Sequence, residues 1–231
     1  MVSFEFLSYY LAGNLIIYLL VHIPLDILAF TKKSGKIKEQ AQRFPPWPEG
    51  KFLVKIITIG TTFLFWGFIL CWPILHWVGW DDFLLFFSIQ IPYVGEVFQY
   101  LGMVFICLGT IIACLGRIAR GRKAISWGVP KQLTTTLGFR LVRHPLYASY
   151  CYYFLGIPLA LLNGLLLFML PGIIGYYQTA KYEEWILEQE FGEEYHNYQR
   201  KVGMIIPFIG RKKTAKKNSS NKNRRKKEDI L

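Results

Sequence analysis

The feature that most constrains this chain is a series of apolar runs of membrane length, separated by short blocks in which the basic residues are concentrated. Residues 4 to 30, FEFLSYYLAGNLIIYLLVHIPLDILAF, exceed the roughly 20 helical residues needed to cross a hydrocarbon core of about 30 Å at 1.5 Å per residue. Second and third runs cover about 53 to 78 and 98 to 116. At 231 residues and 53% apolar, the chain is too hydrophobic for an ordinary soluble domain, and its length fits one domain. A formal net charge of +12 would suit nucleic acid. No RNP-like, zinc-finger or helix-turn-helix spacing is present, however, and the cations fall between or after the apolar runs, so a membrane surface rather than nucleic acid is the expected partner.

The blocks set an orientation. Lys32, Lys33, Lys36, Lys38, Arg43 and Lys51 surround Phe44-Pro45-Pro46-Trp47-Pro48, while Arg117, Arg120, Arg122 and Lys123 follow the third run. The loop between the second and third runs carries Asp81, Asp82 and Glu96 and no Lys or Arg. The positive-inside rule then places both basic loops in the cytosol and the N-terminus outside. Trp72, Trp77 and Trp80 are expected in an interfacial belt, and the short apolar stretch Phe83 to Val94 at the membrane surface. The first run lacks the basic n-region and small-residue cleavage site of a signal peptide, and reads as a span.

Two further apolar stretches, Leu146 to Leu162 and Leu165 to Ala180, are joined by the turn-forming pair Asn163-Gly164 and predict a helical hairpin. The expected fold is therefore an all-α integral membrane protein of about five membrane helices, three spans plus the hairpin. Residues 1–210 form one domain, followed by a disordered basic tail, 211–231, that attaches to anionic lipid. Lys181 to Arg200 reads as an amphipathic helix or helix pair with Trp185, Phe191, Tyr195 and Tyr198 as its apolar stripe, a possible break at Gly192, and Ile205 to Phe208 as a docking segment. Cys71, Cys107, Cys114 and Cys151 all fall in apolar segments with no metal-ligand spacing, and read as packing thiols. His22 and Asp26, four apart near the end of the first span, either face the protein interior or lie at headgroup level.

The hairpin brings two polar clusters to one side. The first, Gly138-Phe139-Arg140-Leu141-Val142-Arg143-His144-Pro145-Leu146-Tyr147, sets two cations and a histidine against a helix start, where Pro145 loses nothing by lacking an N–H and the remaining backbone N–H groups suit a ligand carboxylate. The second is Glu183-Glu184 with Phe191-Gly192-Glu193-Glu194-Tyr195. Together they suit a zwitterionic ligand with an aromatic ring, or a nucleotide phosphate.

These two blocks, with Leu187, Tyr198, Val202 and Ile206-Pro207 at their spacings, resemble the isoprenylcysteine carboxyl methyltransferase family and the related phospholipid N-methyltransferases over about residues 117 to 208. The resemblance implies a multi-pass methyltransferase that binds S-adenosylmethionine in a pocket open to the cytosol and takes a lipid-like acceptor from the bilayer. By that resemblance Gln132, Leu133, Thr134 and Thr135 form a cofactor segment, His144, Pro145, Leu146 and Tyr147 the main clamp with Phe139, and Glu183 with Glu184 the contact to the cofactor's polar end. Arg143, His144 and Glu183 carry the catalytic expectation.

The chain departs from the pattern in three places. Phe139 stands for a tyrosine, Ser149 for a glycine, and Thr179 for the arginine with which isoprenylcysteine enzymes bind their acceptor, so the acceptor is left open among carboxylate, thiol and amine. An amine would require a base, with His144 or a glutamate as candidate. Membrane sterol reductases also carry an Arg-His-Pro-x-Tyr segment and use NADPH. A non-enzymatic lipid-binding scaffold is the third reading.

Overall fold

The computed structural model describes residues 2–33, 52–79, 86–121 and 132–209. The expectations for Lys36 to Lys51, Trp80 to Phe83, Arg122 and Lys123 and the tail lie outside the described residues. The described residues form six α-helices: α1 (Phe4–Lys33), α2 (Phe52–Trp77), α3 (Gly95–Arg120), the single turn α4 (Gly138–Leu141), α5 (Pro145–Leu161) and α6 (Pro171–Lys201). Among the described residues there is no strand beyond isolated bridges. Among the described residues three helices are long and apolar enough to cross a membrane, over Phe4–Ala29, Phe52–Trp72 and Gly95–Arg120.

Glycine spacing explains the closest contact. Gly102, Gly109 and Gly116 recur every seven residues, two turns of helix, and so form one face of α3. A Cβ on Gly102 would lie 2.3 Å from the Ala160 nitrogen and 2.5 Å from the Gly156 carbonyl oxygen, and one on Gly116 would lie 2.5 Å from the Pro145 Cβ. α5 thus runs antiparallel to α3 with the backbones in contact, as small residues allow where apolar burial offers little between helices in lipid. Ser149 faces Gly109 through its carbonyl oxygen and donates its hydroxyl to the Leu146 carbonyl at 2.7 Å, so its substitution for glycine is absorbed in this packing.

α1 runs parallel to α3. The Tyr10 hydroxyl donates to the Met103 carbonyl at 2.7 Å, and Thr110 Oγ1 donates to Asn14 Oδ1 at 2.9 Å. Near the helix ends Arg117 reaches Asp26 at 2.8 Å. His22 is buried, with its ring stacked on Tyr18 at 3.8 Å. His22 therefore faces the protein interior, while Asp26 is partly exposed and pairs with Arg117. On α2, Trp77 is exposed as expected of a belt residue, but Trp72 is buried against Phe4 and Phe68 at 4.9 and 5.1 Å, because its side of α2 is the one covered by α1.

The hairpin forms with one change. Leu162 takes the left-handed conformation after α5, and the Asn163 carboxamide oxygen accepts from the Leu165 N–H at 3.0 Å. Leu165–Met169 is consequently a 3-10 turn rather than α-helix, and α6 begins at Pro171, where the missing N–H costs nothing. Residues 87–89 close this end through Gly164 N–H to the Phe87 carbonyl, 2.9 Å, and Ile89 N–H to the Leu162 carbonyl, 2.6 Å. α6 packs on α2 where Gly172 and Gly175 meet Thr61 and Thr58. It then continues beyond the bundle to Lys201, broken only at Gly192, whose φ of 50° is open to glycine at no cost.

Candidate functional site

The strand-like link between α4 and α5 puts the first polar cluster in place. Val142 pairs with Gly203, Arg143 N–H donates to the Gly203 carbonyl at 2.8 Å, and His144 N–H donates to the Met204 carbonyl at 3.2 Å. His144 is the N-terminal flanking residue of α5, with Pro145 first in the helix. On α6, Ala180, Glu184 and Leu187 follow one another at four- and three-residue steps and all face inward. Glu183 adjoins that face. The hairpin therefore delivers Glu183 and Glu184 to His144 and Arg143 across some forty residues of chain.

His144 lies between the two carboxylates. Its Nδ1 is 3.2 Å from Glu183 Oε2 and its Nε2 is 3.5 Å from Glu184 Oε1. Its ring lies nearly parallel to Tyr147, with centroids 5.6 Å apart. Arg143 places Nε and Nη2 on Glu184 Oε1, each at 2.5 Å, and its Nη1 donates to the backbone carbonyls of Gln199 and Val202. Glu184 also accepts from Gln199 Nε2 at 3.3 Å and from the Tyr195 hydroxyl at 3.5 Å. Gln199 is fully buried and bonds Glu188 as well, at 2.8 Å.

Burial pushes both glutamate carboxyls up, and their neighbours more than reverse it. For Glu183 the hydrogen bond and charge of His144, the Arg120 guanidinium and the Tyr147 hydroxyl bring it down to about 2. Glu184 is held below the usual range by His144 and Arg143. Burial alone would lower His144, but the two carboxylates raise it above its ordinary value. Burial pushes the Tyr195 and Tyr198 hydroxyls up, so both remain donors, Tyr198 to the Phe139 carbonyl at 2.5 Å.

A cleft of about 340 Å³, counting its open mouth, is bounded by Leu133, Thr134, Phe139, Arg143, His144, Glu183, Leu187, Tyr195, Tyr198 and Arg120. The Arg120 guanidinium stands 5.4 Å above the Phe139 ring. Of the expected site residues, Leu133, Thr134, Phe139, Arg143, His144 and Glu183 are brought together here. Gln132 and Thr135 are exposed and are not on its wall. Pro145 packs on Gly116, Leu146 on the bundle core, and Tyr147 behind the His144 ring. Glu184 lies behind the wall, joined to Arg143.

Sequence reasoning passed over four contributors. In the sequence Arg120 is one charge in a basic block, and Tyr195 and Tyr198 belong to an apolar stripe. Gln199 carries no sequence signal, although Tyr195, Tyr198 and Gln199 at three- and four-residue spacing could have marked a common face with Glu184 and Leu187. The anticipated stripe through Trp185 was misphased, since Trp185 is exposed and Glu184 occupies the inward position beside it.

The fold and site together define a helical membrane protein with a buried charged cleft where the bundle meets its C-terminal helix. Among known proteins, the chain is similar to the methanethiol S-methyltransferase of Pseudomonas deceptionensis, 38% identical over 77 residues, which is 33% of this chain and 29% of that protein. It is also similar to the methanethiol S-methyltransferase of Crocosphaera subtropica, 36% identical over 83 residues, 36% of this chain and 32% of that one. A probable protein-S-isoprenylcysteine O-methyltransferase of Oryza sativa subsp. indica is 34% identical over 73 residues, 31% of this chain and 38% of the relative. The matched stretch thus spans about a third of each relative. No family model matches the chain.

Proposed function

We propose that the protein is a membrane methyltransferase that uses S-adenosylmethionine, with the cleft at His144 and Glu183 as its cofactor site. The observation that carries this reading is the joining of the Arg-His-Pro-x-Tyr block to the Glu-Glu block around one cleft, the pairing on which the sequence resemblance rests. The methyltransferase names of the relatives support it, and they span sulfur and oxygen acceptors.

The cleft's chemistry fits the cofactor. Phe139, Leu133 and Leu187 offer apolar walls for an adenine ring, Glu183 an ionised carboxylate for an ammonium or ribose hydroxyls, and Arg120 a cation for the carboxylate. When bound, the sulfonium supplies an already activated methyl group, so alignment and exclusion of water are left to the protein. Arg143, held by Glu184 and two backbone carbonyls, fixes the cleft wall made by the segment after Gly192. Thr179 donates its hydroxyl to the Gly175 carbonyl at 2.9 Å, and Lys181 sits 4.8 Å over the Tyr177 ring, so neither offers the acceptor the guanidinium of an isoprenylcysteine enzyme.

The site end of the bundle lies in the cytosol on this reading, with the basic tail on anionic lipid and a lipid-like or membrane-delivered acceptor. Calorimetric titration of the detergent-purified protein with S-adenosylhomocysteine tests it. Saturable binding that Glu183→Ala abolishes is expected. Silence toward S-adenosylhomocysteine with clear binding of NADPH would replace this reading with a reductase.

A further inference from the structure

The segment after α6 is divided between two surroundings. Met204 and Ile205 are buried against the bundle core, whereas Ile206, Phe208 and Ile209 are 49%, 75% and 63% exposed. The loop that presents them is closed by its own backbone, with Met204 N–H donating to the Ile209 carbonyl and Ile209 N–H to the Ile206 carbonyl, both at 3.2 Å. Phe208 is held at φ 66°, which is unfavourable for a bulky residue, yet the loop gives its ring little burial.

The depth of the loop follows from its pairing. Val142 bridges Gly203, and the N–H groups of Arg143 and His144 donate to the Gly203 and Met204 carbonyls. These residues immediately precede α5, whose first residue, Pro145, lies against Gly116 near the end of the α3 span. The loop thus sits where α3 leaves the apolar layer. At the same level of α6, beside the Glu184 that Arg143 reaches, Trp185 is exposed and stacked on Tyr182 at 6.0 Å, and Lys181 lies over the Tyr177 ring. Exposed aromatics and snorkelling cations at the end of a span are the chemistry of a headgroup boundary. The sequence directly after the loop, Arg211-Lys212-Lys213-Thr214-Ala215-Lys216-Lys217, adds five cations.

We infer that the loop of residues 206–209 is a wedge that inserts Ile206, Phe208 and Ile209 into the adjacent membrane leaflet, with anionic headgroups as the partner of the cations that follow it. An apolar tip beside a basic run suits such a surface. A second copy of the chain would instead set the same five cations against these. A Cβ on Gly203 would collide with the Ile206 and Ile209 carbonyl oxygens, so the wedge is folded directly on the residue whose carbonyl holds Arg143. Insertion requires the membrane spans and no particular chemistry in the cleft.

Nitroxide labels attached singly at Phe208→Cys and at Ile209→Cys, in a background with Cys71 and Cys107 replaced by Ala, read the depth. The full chain is placed in nanodiscs of three parts phosphatidylcholine to one of phosphatidylglycerol. Collisions of each label with oxygen, which concentrates in lipid, are compared with those of a water-soluble nickel chelate. Labels at exposed Leu20 in the α1 span and at exposed Asn197 give the lipid and water references. The oxygen-to-nickel ratio at 208 and 209 is expected near that at 20 and several-fold above that at 197, and it should fall when phosphatidylglycerol is omitted. A ratio like that at 197 overturns insertion, and equal ratios in the two lipid mixtures overturn the anionic assignment. A label that neither reagent reaches means that protein covers the loop, a second copy if the spectrum is dipolar-broadened, and overturns insertion as well.

Discussion

At the scale of single residues, the His144–Glu183 pair couples stability to pH in both directions. Glu183 is lowered from an ordinary 4.5 to about 2, so its contribution is complete above about 4.5 and is lost as pH falls through about 2. His144 is raised from 6.5, so its contribution is complete below 6.5 and is lost as pH rises through the higher folded value. The thermal midpoint of the protein in detergent should therefore be highest between about pH 4.5 and 6.5 and fall on both sides. In His144→Gln the alkaline fall should flatten, and a profile unchanged by that substitution would show that the pair is not coupled to folding. The partners of His144 were legible in part, since the sequence offers one Arg-His-Pro and two Glu-Glu pairs, 183–184 and 193–194, of which the first directly follows the hairpin. The state of Arg143 was not. It shares the catalytic expectation with His144 and Glu183, but the backbone carbonyls of Gln199 and Val202 that hold it have no side-chain signature, and their approach depends on the turn at Gly192.

At the scale of elements, two glycines that look alike in sequence carry different loads. A Cβ at Gly102 would meet the α5 backbone at 2.3 Å, so Gly102→Ala forces α3 and α5 apart and should cost about 1–3 kcal/mol, as overpacking does. A Cβ at Gly192 meets nothing within 4 Å, and the cost of Gly192→Ala is the backbone alone, held at φ 50° and ψ −125°, about 1–3 kcal/mol. Thermal unfolding in detergent measures both. Only Gly192→Ala should also weaken S-adenosylhomocysteine binding, because straightening α6 would move Tyr195 and Tyr198 off the cleft. Equal binding in the two variants would mean that the break does not shape the site. The helices themselves were legible from run length, and the hairpin from Asn163-Gly164. The inward face of α6 was not, because its apolar stripe contains two glutamates whose burial is compensated only by Arg143 and His144, so hydrophobic periodicity pointed to Trp185 instead.

At the scale of the whole molecule, alternation of helix direction sorts the chain by end. α1 and α3 run together, α5 runs against α3, and α6 runs against α2, so Asp26, Arg117, Arg120, His144 and Glu183 gather at one end while Trp77, residues 86–95 and the hairpin turn gather at the other. Among the described residues the charge pattern follows the same division, with Arg117, Arg120 and Arg143 at the site end and Glu96 at the other. By the positive-inside rule we propose that the cleft faces the cytosol, where a soluble cofactor would reach it. Single cysteines placed at exposed Asn197 and at exposed Tyr93, in a background with Cys71 and Cys107 replaced by Ala, report the orientation. A membrane-impermeant maleimide should label position 93 in intact cells and position 197 only after permeabilisation. The reverse pattern would put the site outside, away from a cytosolic cofactor, and would remove the topological support for the proposed chemistry.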